Sequence, residues 1–441
     1  MVTVDGGVRA VDAVRTAVDN GMEVIVTDHH EPSAQMPPAV AIVDPMREDC
    51  EYPYKRLAGV GVAYKLVWAL ARELSGSVRL PDRFRDFLLD YLPIVALGTI
   101  CDVVPLLGEN RVFVKYGLSR MCSTGNPGLR SLLDTSGILM RVMRNRREVS
   151  ARDIAYTVGP RINAAGRLGR ADDALRLFAT RDLGVAAEIS RSLNDMNKER
   201  QEVEADILEK ATEMVEAMKE LPPVIMLADE EWHTGVLGIV ASRLVNKYYR
   251  PTFLGKVEKG VVRGSARSIK GFDVVQCLSD AQEHLVRFGG HAGAAGFTFE
   301  QDSFDKIRLT LNAHAEKQYR ALPRLLSPTV DVEAEVPFRE ITYELIRQLD
   351  SLKPFGHEHE RPVFCATNVQ VAGEPRLVGA RNQHVLMMLV QDGISFKGIA
   401  FGQADHVDDL SSKVNILFYP QLETYNGNDG IQLQVLSFKR V

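Results

Sequence analysis

The chain has 441 residues, a formal net charge of -5, 45% hydrophobic and 25% charged residues. That length exceeds one ordinary domain and predicts roughly three. The ordinary globular composition leaves no room for a disordered or low-complexity protein, and the negative net charge excludes a polycation, so any nucleic-acid surface has to be local.

Five cysteines (50, 101, 122, 277 and 365) are scattered without a Cys-x-x-Cys pair. That pattern argues against structural zinc and a disulfide scaffold, and fits a reducing compartment. No apolar run approaches the ~18 residues of a membrane span. Met1-Val2-Thr3-Val4-Asp5 lacks the basic-then-apolar order of a signal peptide. The expectation is a soluble, cytoplasmic monomer.

In chain order, Val2–Val4 reads as a short strand and Val8–Asn20 as a helix closed by Gly21. Glu23–Thr27 and Ala41–Val43 follow as strands. Short Val/Ile runs separated by a helix predict parallel strands buried on both faces. Helices are expected from about Gly61 to Leu74 and from Asp82 into Leu97. A long helix, with apolar residues from Ile189 to Met218 at three- to four-residue steps, ends at Leu221-Pro222-Pro223 and reads as a connector between domains. Val224–Leu227 opens a second α/β unit that runs to Leu322. Short alternating strands (Val385–Val390, Ile394–Ala400, Val414–Tyr419, Ile431–Phe438) and the hairpin-like Asn426-Gly427-Asn428-Asp429-Gly430 predict a terminal β-barrel.

Functional groups in parallel sheets gather at the carboxyl ends of strands. Asp5, Asp28, His29 and His30 all fall there, and carboxylate plus imidazole suits Mn²⁺ or Mg²⁺ better than a thiolate-rich zinc site. Adjacent histidines on a strand cannot face the same way, so one is expected to ligate and the other to meet phosphate or a neighbouring group. For Asp5 alone the bland reading is a helix cap. Asp102 stands in the apolar run Ala96–Pro105, a costly place for an unpaired carboxylate. Residues 141–181 hold ten Arg and no Lys against four acidic residues. They include Arg161 and Arg167 in Val158–Gly169, and they read either as a phosphate-binding surface or as a solvated face. Ser265 and Arg267 alternate on an extended segment, and Gly290-His291 lies in a Gly-rich turn whose amides can nest an anion. A plain sheet edge and a tight connection are the bland alternatives for those two.

Together these segments resemble the DHH phosphoesterase superfamily and, within it, the bacterial single-strand-specific exonucleases. Val4-Asp5-Gly6-Gly7 is similar to the second family motif, which usually reads Asp-Asn-Gly. Thr27-Asp28-His29-His30-Glu31 resembles the third, and Gly98–Pro105 the fourth. Gly159–Arg167 looks like a hallmark of the exonuclease branch, while Trp232–Ala241 and Gly289–Gly296 resemble the DHH-associated domain.

The resemblance implies an α/β fold of four parts. These are a parallel-sheet DHH domain over 1–182 lacking its first strand, a connector helix over 183–221, a DHH-associated α/β domain over 222–322, and an oligonucleotide-binding (OB) barrel over 329–441. It implies a 5′-to-3′ exonuclease of single-stranded DNA that uses two Mn²⁺ or Mg²⁺ ions and acts in DNA repair and recombination, served by a helicase and a single-strand-binding protein. Asp5, His29, His30 and Asp102 match metal-site positions, with Asp28 in the catalytic group. Arg161, Arg167, Ser265, Arg267, Gly290 and His291 would hold the DNA backbone or its 5′ phosphate. The family's first motif, Asp-x-Asp on a preceding strand, has no counterpart after Met1, so weak Mn²⁺ binding, poor nuclease activity and an open sheet edge are expected. A non-catalytic single-strand binder with a decayed metal site is the alternative. An enzyme for short or cyclic oligonucleotides fits less well, because those simpler relatives generally lack the barrel.

Overall fold

The computed structural model describes the chain except for residues 146, 168–169, 411–412 and 426–427. Two compact units emerge. One comprises Met1–Gly159, Arg181–Leu183 and Asp331–Val441, and the other Pro160–Thr180 and Gly184–Val330.

The first unit opens with a parallel sheet of β1 (Val2–Val4), β2 (Ile25–Thr27) and β3 (Ala41–Val43) in the order β1-β2-β3. Val4, Thr27 and Val43 lie abreast, so the next residues, Asp5, Asp28 and Asp44, form a row beyond the strand ends. The helix Val11–Asp19 crosses between β1 and β2 and buries Val14 against Val8, Val24 and Val26. Burial on both faces, expected of every strand, holds only for the central β2. Val2, Val4 and Val43 stay exposed because a three-stranded sheet has two edges, and β1 forms one of them. Helices Gly59–Ser75, Asp82–Cys101 and Gly108–Ser119 build a second core from Leu57, Val62, Leu88, Leu92 and Phe113.

The second unit contains a five-stranded mixed sheet of β4 (Ile225–Asp229), β5 (Thr252–Glu258), β6 (Val261–Arg267), β7 (Arg287–His291) and β8 (Ala294–Glu300), ordered β4-β5-β6-β8-β7. Only β4 and β5 run parallel. The expected long helix spans Leu183–Glu216, and its Ile207, Ala211 and Val215 pack with Trp232, Leu237 and Val240 beneath this sheet. Its carboxyl half is thus part of a core as well as a connection. Residues 159–167, whose glycines pointed to close backbone approach, are helical, and residues 168–169 of that motif lie outside the described residues.

Back in the first unit, β9 (Ala334–Glu335), β10 (Phe364–Val378), β11 (His384–Gln391), β12 (Ile394–Ala400), β13 (Lys413–Tyr425) and β14 (Asn428–Arg440) form the predicted barrel. The order β11-β12-β14-β13-β10 closes through β10–β11 pairing, with β9 alongside β10. Alternate residues Val385, Met387 and Leu389 point inward with Val414, Ile416 and Phe418. The tip of the predicted β13–β14 hairpin, at Asn426-Gly427, lies outside the described residues. Arg56 pairs with Glu358, and the Leu106 amide donates to the His357 carbonyl at 2.9 Å, tying the barrel's leading segment to the first helices. Among the described residues, no helix is long and apolar enough to cross a membrane.

One part of the Arg-rich stretch is structural. Asp153 is buried and accepts two bonds from Arg147, at 2.6 and 2.9 Å, and two from Ser150 in a capping box. Burial pushes its pKa up, but Arg147 and Ser150 outweigh it and hold the carboxyl at about 2. A pKa below the unfolded 3.8 stabilises the fold above that value, and the contribution fades as the pH falls toward 2. Asp153→Asn should cost about 2 kcal/mol at neutral pH, with the gap to wild type closing between about pH 4 and pH 2. Denaturation curves across that range check this, and a pH-independent gap would contradict it.

Candidate functional site

The first constellation stands on the row of strand ends. Asp28 is fully buried, and its carboxylate is consumed by local bonds. Oδ2 accepts from the Val8 amide at 2.9 Å, while Oδ1 accepts from the amides of His29 and His30 and lies 2.7 Å from His30 Nδ1. Burial raises its pKa, but the bonds from Val8, His30 and His29 outweigh that and leave it lowered, so Asp28 is a fixed anion. It orients the His30 imidazole and holds the His29 backbone, and its oxygens are occupied by these bonds. A His30 ring that donates through Nδ1 presents Nε2 as a lone pair.

His29 does not point away from His30, as adjacent residues on a strand would: β2 ends at Thr27, and the two rings lie 4.5 Å apart centre to centre. The buried Nε2 of His29 lies 3.0 Å from Asp5 Oδ1 and 3.5 Å from Asp102 Oδ2, yet it makes no aligned hydrogen bond to either. The nearby Asp5 carboxylate holds the His29 pKa up against the effect of burial, and Asp102 adds to this. Asp5, His29 and His30 each offer a ligand atom within 4.8 Å of the others. Two imidazoles and a carboxylate with ligand atoms this close, His29 Nε2 among them without an aligned hydrogen bond, fit a divalent cation.

The backbone supports that reading. Asp5 and Val103 both have positive φ, 59° and 61°, although neither is glycine. For a β-branched residue such as Val103 that conformation is costly, and strain of this kind concentrates at working sites. Asp102 caps the carboxyl end of the helix Asp82–Cys101, where the helix dipole is negative and a cation is favoured. Burial raises its pKa and Asp5 adds to this, while His29 opposes both.

Two residues of this centre escaped the sequence reading. Asp44 follows β3 in the same row, is 2% exposed, and keeps Oδ2 without a hydrogen-bond partner. Burial pushes its pKa up, and the Asp28 charge adds to that. The signal was its place after a strand, the same one that identified Asp5 and Asp28. Gly59 is the other, because a Cβ there would lie 2.2 Å from Asp5 Oδ1. Nothing in the sequence connects these two positions, since the contact is made by the fold.

The second constellation belongs to the other unit. Arg267, Ala294 and His291 pair across β6, β8 and β7 and share one face of the sheet, and Ser265, Gly296 and Gly289 form the next row on that face. Gly290 has no room for a side chain, because a Cβ would meet the Ala294 carbonyl oxygen at 2.2 Å. Against this face lies the amino end of the helix Thr234–Tyr248, capped by His233, whose Nδ1 accepts from the Gly235 amide. Gly238 lets Arg267 lie against that helix, since a Cβ would sit 2.5 Å from its Nη2.

Arg267 donates to Ser265 Oγ at 2.8 Å, and Arg167 donates to the Gly235 carbonyl at 2.6 Å. Burial lowers the Arg267 pKa and the Arg167 charge adds to it. Arg167 is itself lowered by burial and by Arg200, with Glu204 opposing. Crowded guanidiniums at a helix amino end form an anion site. An adjoining cleft of about 710 Å³ is lined by Lys256, Arg263 and Arg287 with a single acid, Glu258. Arg161 stands apart from this group, donating from Nε to Asn194 at 3.1 Å. His233, Gly235 and Gly238 belong to the Trp232–Ala241 motif, to which the sequence reading gave no role by residue, and Arg200 is an addition that it did not single out.

Gly59→Ala should displace the Asp5 carboxylate and weaken Mn²⁺ binding about tenfold or more, as changes behind a metal ligand do. Calorimetry on the metal-free chain measures this, and an unchanged affinity would contradict the packing of Asp5 on Gly59.

Family models match for the DHH family N-terminal domain over residues 1–99, the DHHA1 domain over 217–317 and the RecJ OB domain over 332–437. The chain is 35% identical over 439 residues to the single-stranded-DNA-specific exonuclease RecJ of Bacillus subtilis strain 168, covering 99% of this chain and 53% of that protein. It is 33% identical over 451 residues to the Escherichia coli K12 exonuclease of the same name, covering 98% and 76%. The crystal structure of RecJ from Thermus thermophilus in complex with Mn²⁺ superposes with a TM-score of 0.82 at 32% identity, covering 100% of this chain and 61% of that one. This chain therefore spans about half the length of the Bacillus relative. With three domains in order and 76% of the Escherichia protein matched, the chain belongs to the RecJ family of DHH phosphoesterases.

Proposed function

We propose that the chain carries the nuclease, DHH-associated and OB parts of a metal-dependent exonuclease that degrades single-stranded DNA from the 5′ end, in repair and recombination. The observation that carries this is the convergence of Asp5, His29 and Asp102 on one point, in a chain that also has a basic anion site and an OB barrel.

Asp5, His29 and Asp102 would hold Mn²⁺ or Mg²⁺, with His30 at the rim. When bound, the ion supplies Lewis-acid activation of the phosphodiester and of the attacking water, and stabilises the leaving oxygen. The chain's own residues do the rest. Asp28 fixes the His30 imidazole and the His29 backbone before any ligand arrives, which lowers the ordering cost of the reaction. Arg167, Ser265, Arg267 and the Gly290-His291 turn hold the DNA backbone or a terminal phosphate through charge-assisted bonds. The barrel takes unpaired strand and directs it. A helicase or single-strand-binding protein would supply such strands.

Three or four donors hold one ion poorly and a second hardly at all, so this 441-residue polypeptide should bind Mn²⁺ weakly and turn over slowly. The same donor count favours a second reading, a single-strand binder without catalysis. End-labelled oligonucleotides in millimolar Mn²⁺ separate the two. Shortening of single strands from the 5′ end, with duplex spared and at least a hundredfold loss in His29→Ala, is the expected result. Tight single-strand binding with no cleavage, or cleavage indifferent to His29→Ala, would favour the second reading.

A further inference from the structure

Among the described residues, three aromatic rings in the first unit carry guanidiniums and belong to neither constellation: Phe84, Tyr156 and Tyr419. The two tyrosines are the ones that bear on nucleic acid. Tyr156 is 75% exposed and lies in the π-helical segment Ile154–Val158, whose ends Ile154 and Val158 are fully buried. A widened turn of this kind leaves Tyr156 projecting between two anchors, and π-segments recur at functional positions. Arg152 sits 5.3 Å from the centre of the Tyr156 ring. With a cation on one face and most of the ring in solvent, the other face is open.

The second tyrosine is Tyr419 on β13, with the Arg361 guanidinium 4.7 Å from its centre. Arg361 is fixed there by donating to the Pro420 carbonyl at 2.7 Å. Tyr419 is half-buried, and burial holds its hydroxyl pKa up while Arg361 opposes it.

The charge around Tyr156 sorts into two kinds. Arg147 is consumed by Asp153, and Arg170 and Arg176 by Asp173. Arg141, Arg144 and Arg152 are exposed. Planar guanidiniums stack on bases as well as pairing with phosphates, which an ammonium does not do. An exposed tyrosine backed by arginine is the composition that binds unpaired bases without regard to sequence, since every base offers a π-face. Met140 and Met143 are exposed on the helix that carries Arg141 and Arg144, but the cations beside an exposed ring favour an anionic strand that also offers planar faces.

We propose that Tyr156 and Tyr419, each backed by a guanidinium, are stacking platforms for unpaired bases of single-stranded nucleic acid. This rests on the single-strand reading above and assigns it a contact that the phosphate-binding residues do not supply. A bare sugar-phosphate strand should not engage it.

The test is equilibrium binding of the whole chain, in EDTA, to a fluorescent oligothymidylate and to an abasic strand of equal length. Tyr156→Ala should weaken oligothymidylate binding about tenfold, Tyr156→Phe should leave it unchanged, and neither should alter abasic binding. Adding Tyr419→Leu to Tyr156→Ala should deepen the loss for oligothymidylate alone. A Tyr156→Ala protein that binds both strands like wild type, or loses both equally, would overturn the platform while leaving the single-strand reading intact. Wild type that binds neither strand would overturn both.

Discussion

The Asp28 carboxylate is the anchor of the centre. It is the buried anion at the end of the central strand, and four donors reach it from three residues: the amides of Val8, His29 and His30 and the His30 ring. Those bonds outweigh the desolvation of a carboxylate with under 2% of its surface exposed. They also hold the His30 ring at the rim and anchor the backbone of His29, whose Nε2 lies by Asp5 and Asp102. Strain at Asp5 and Val103 is tolerated because the sheet, the helix Asp82–Cys101 and Gly59 fix the surrounding backbone. A centre built this way is organised before it meets a cation.

Much of that centre was legible in the sequence because parallel strands announce their carboxyl ends. Short Val/Ile runs located β1, β2 and β3, and the residue after each strand is an aspartate. Asp102 was legible for a different reason, as one carboxylate among apolar neighbours. Gly59 was not, because its role is a contact across a gap in sequence of more than fifty positions. Asp44 had the right place but offered only the ambiguous Asp-Pro of a strand end. The division of labour between Asp28 and His29 also needed the fold, since residue type alone cannot distinguish an orienting carboxylate from a liganding one.

In the second unit the motifs were legible as glycine- and arginine-rich segments, but their meeting was not. Ser265, Arg267, Gly290 and His291 come from segments over twenty residues apart and become neighbours only through the β6-β8-β7 order. Arg167 joins them through the Gly235 carbonyl. The Arg-only run illustrates the opposite limit. Composition could not separate its structural members, such as Arg147, from its exposed ones, because the difference lies in which acidic partner is within reach. The hallmark run at 159–167 is helical, and the close approach its glycines allow is made at Gly159, where a Cβ would lie 2.7 Å from the Cys101 sulfur.

The central claim is that Asp5, His29 and Asp102 are the ligands of a divalent ion. Anomalous diffraction at the manganese edge from crystals soaked in Mn²⁺ addresses it directly. A peak within coordination distance of His29 Nε2 and a carboxylate oxygen of Asp5 or Asp102, about 2.0–2.6 Å, is the predicted result. A soaked crystal with no peak there, or with His29 hydrogen-bonded to Asp5 and manganese bound elsewhere, would contradict it.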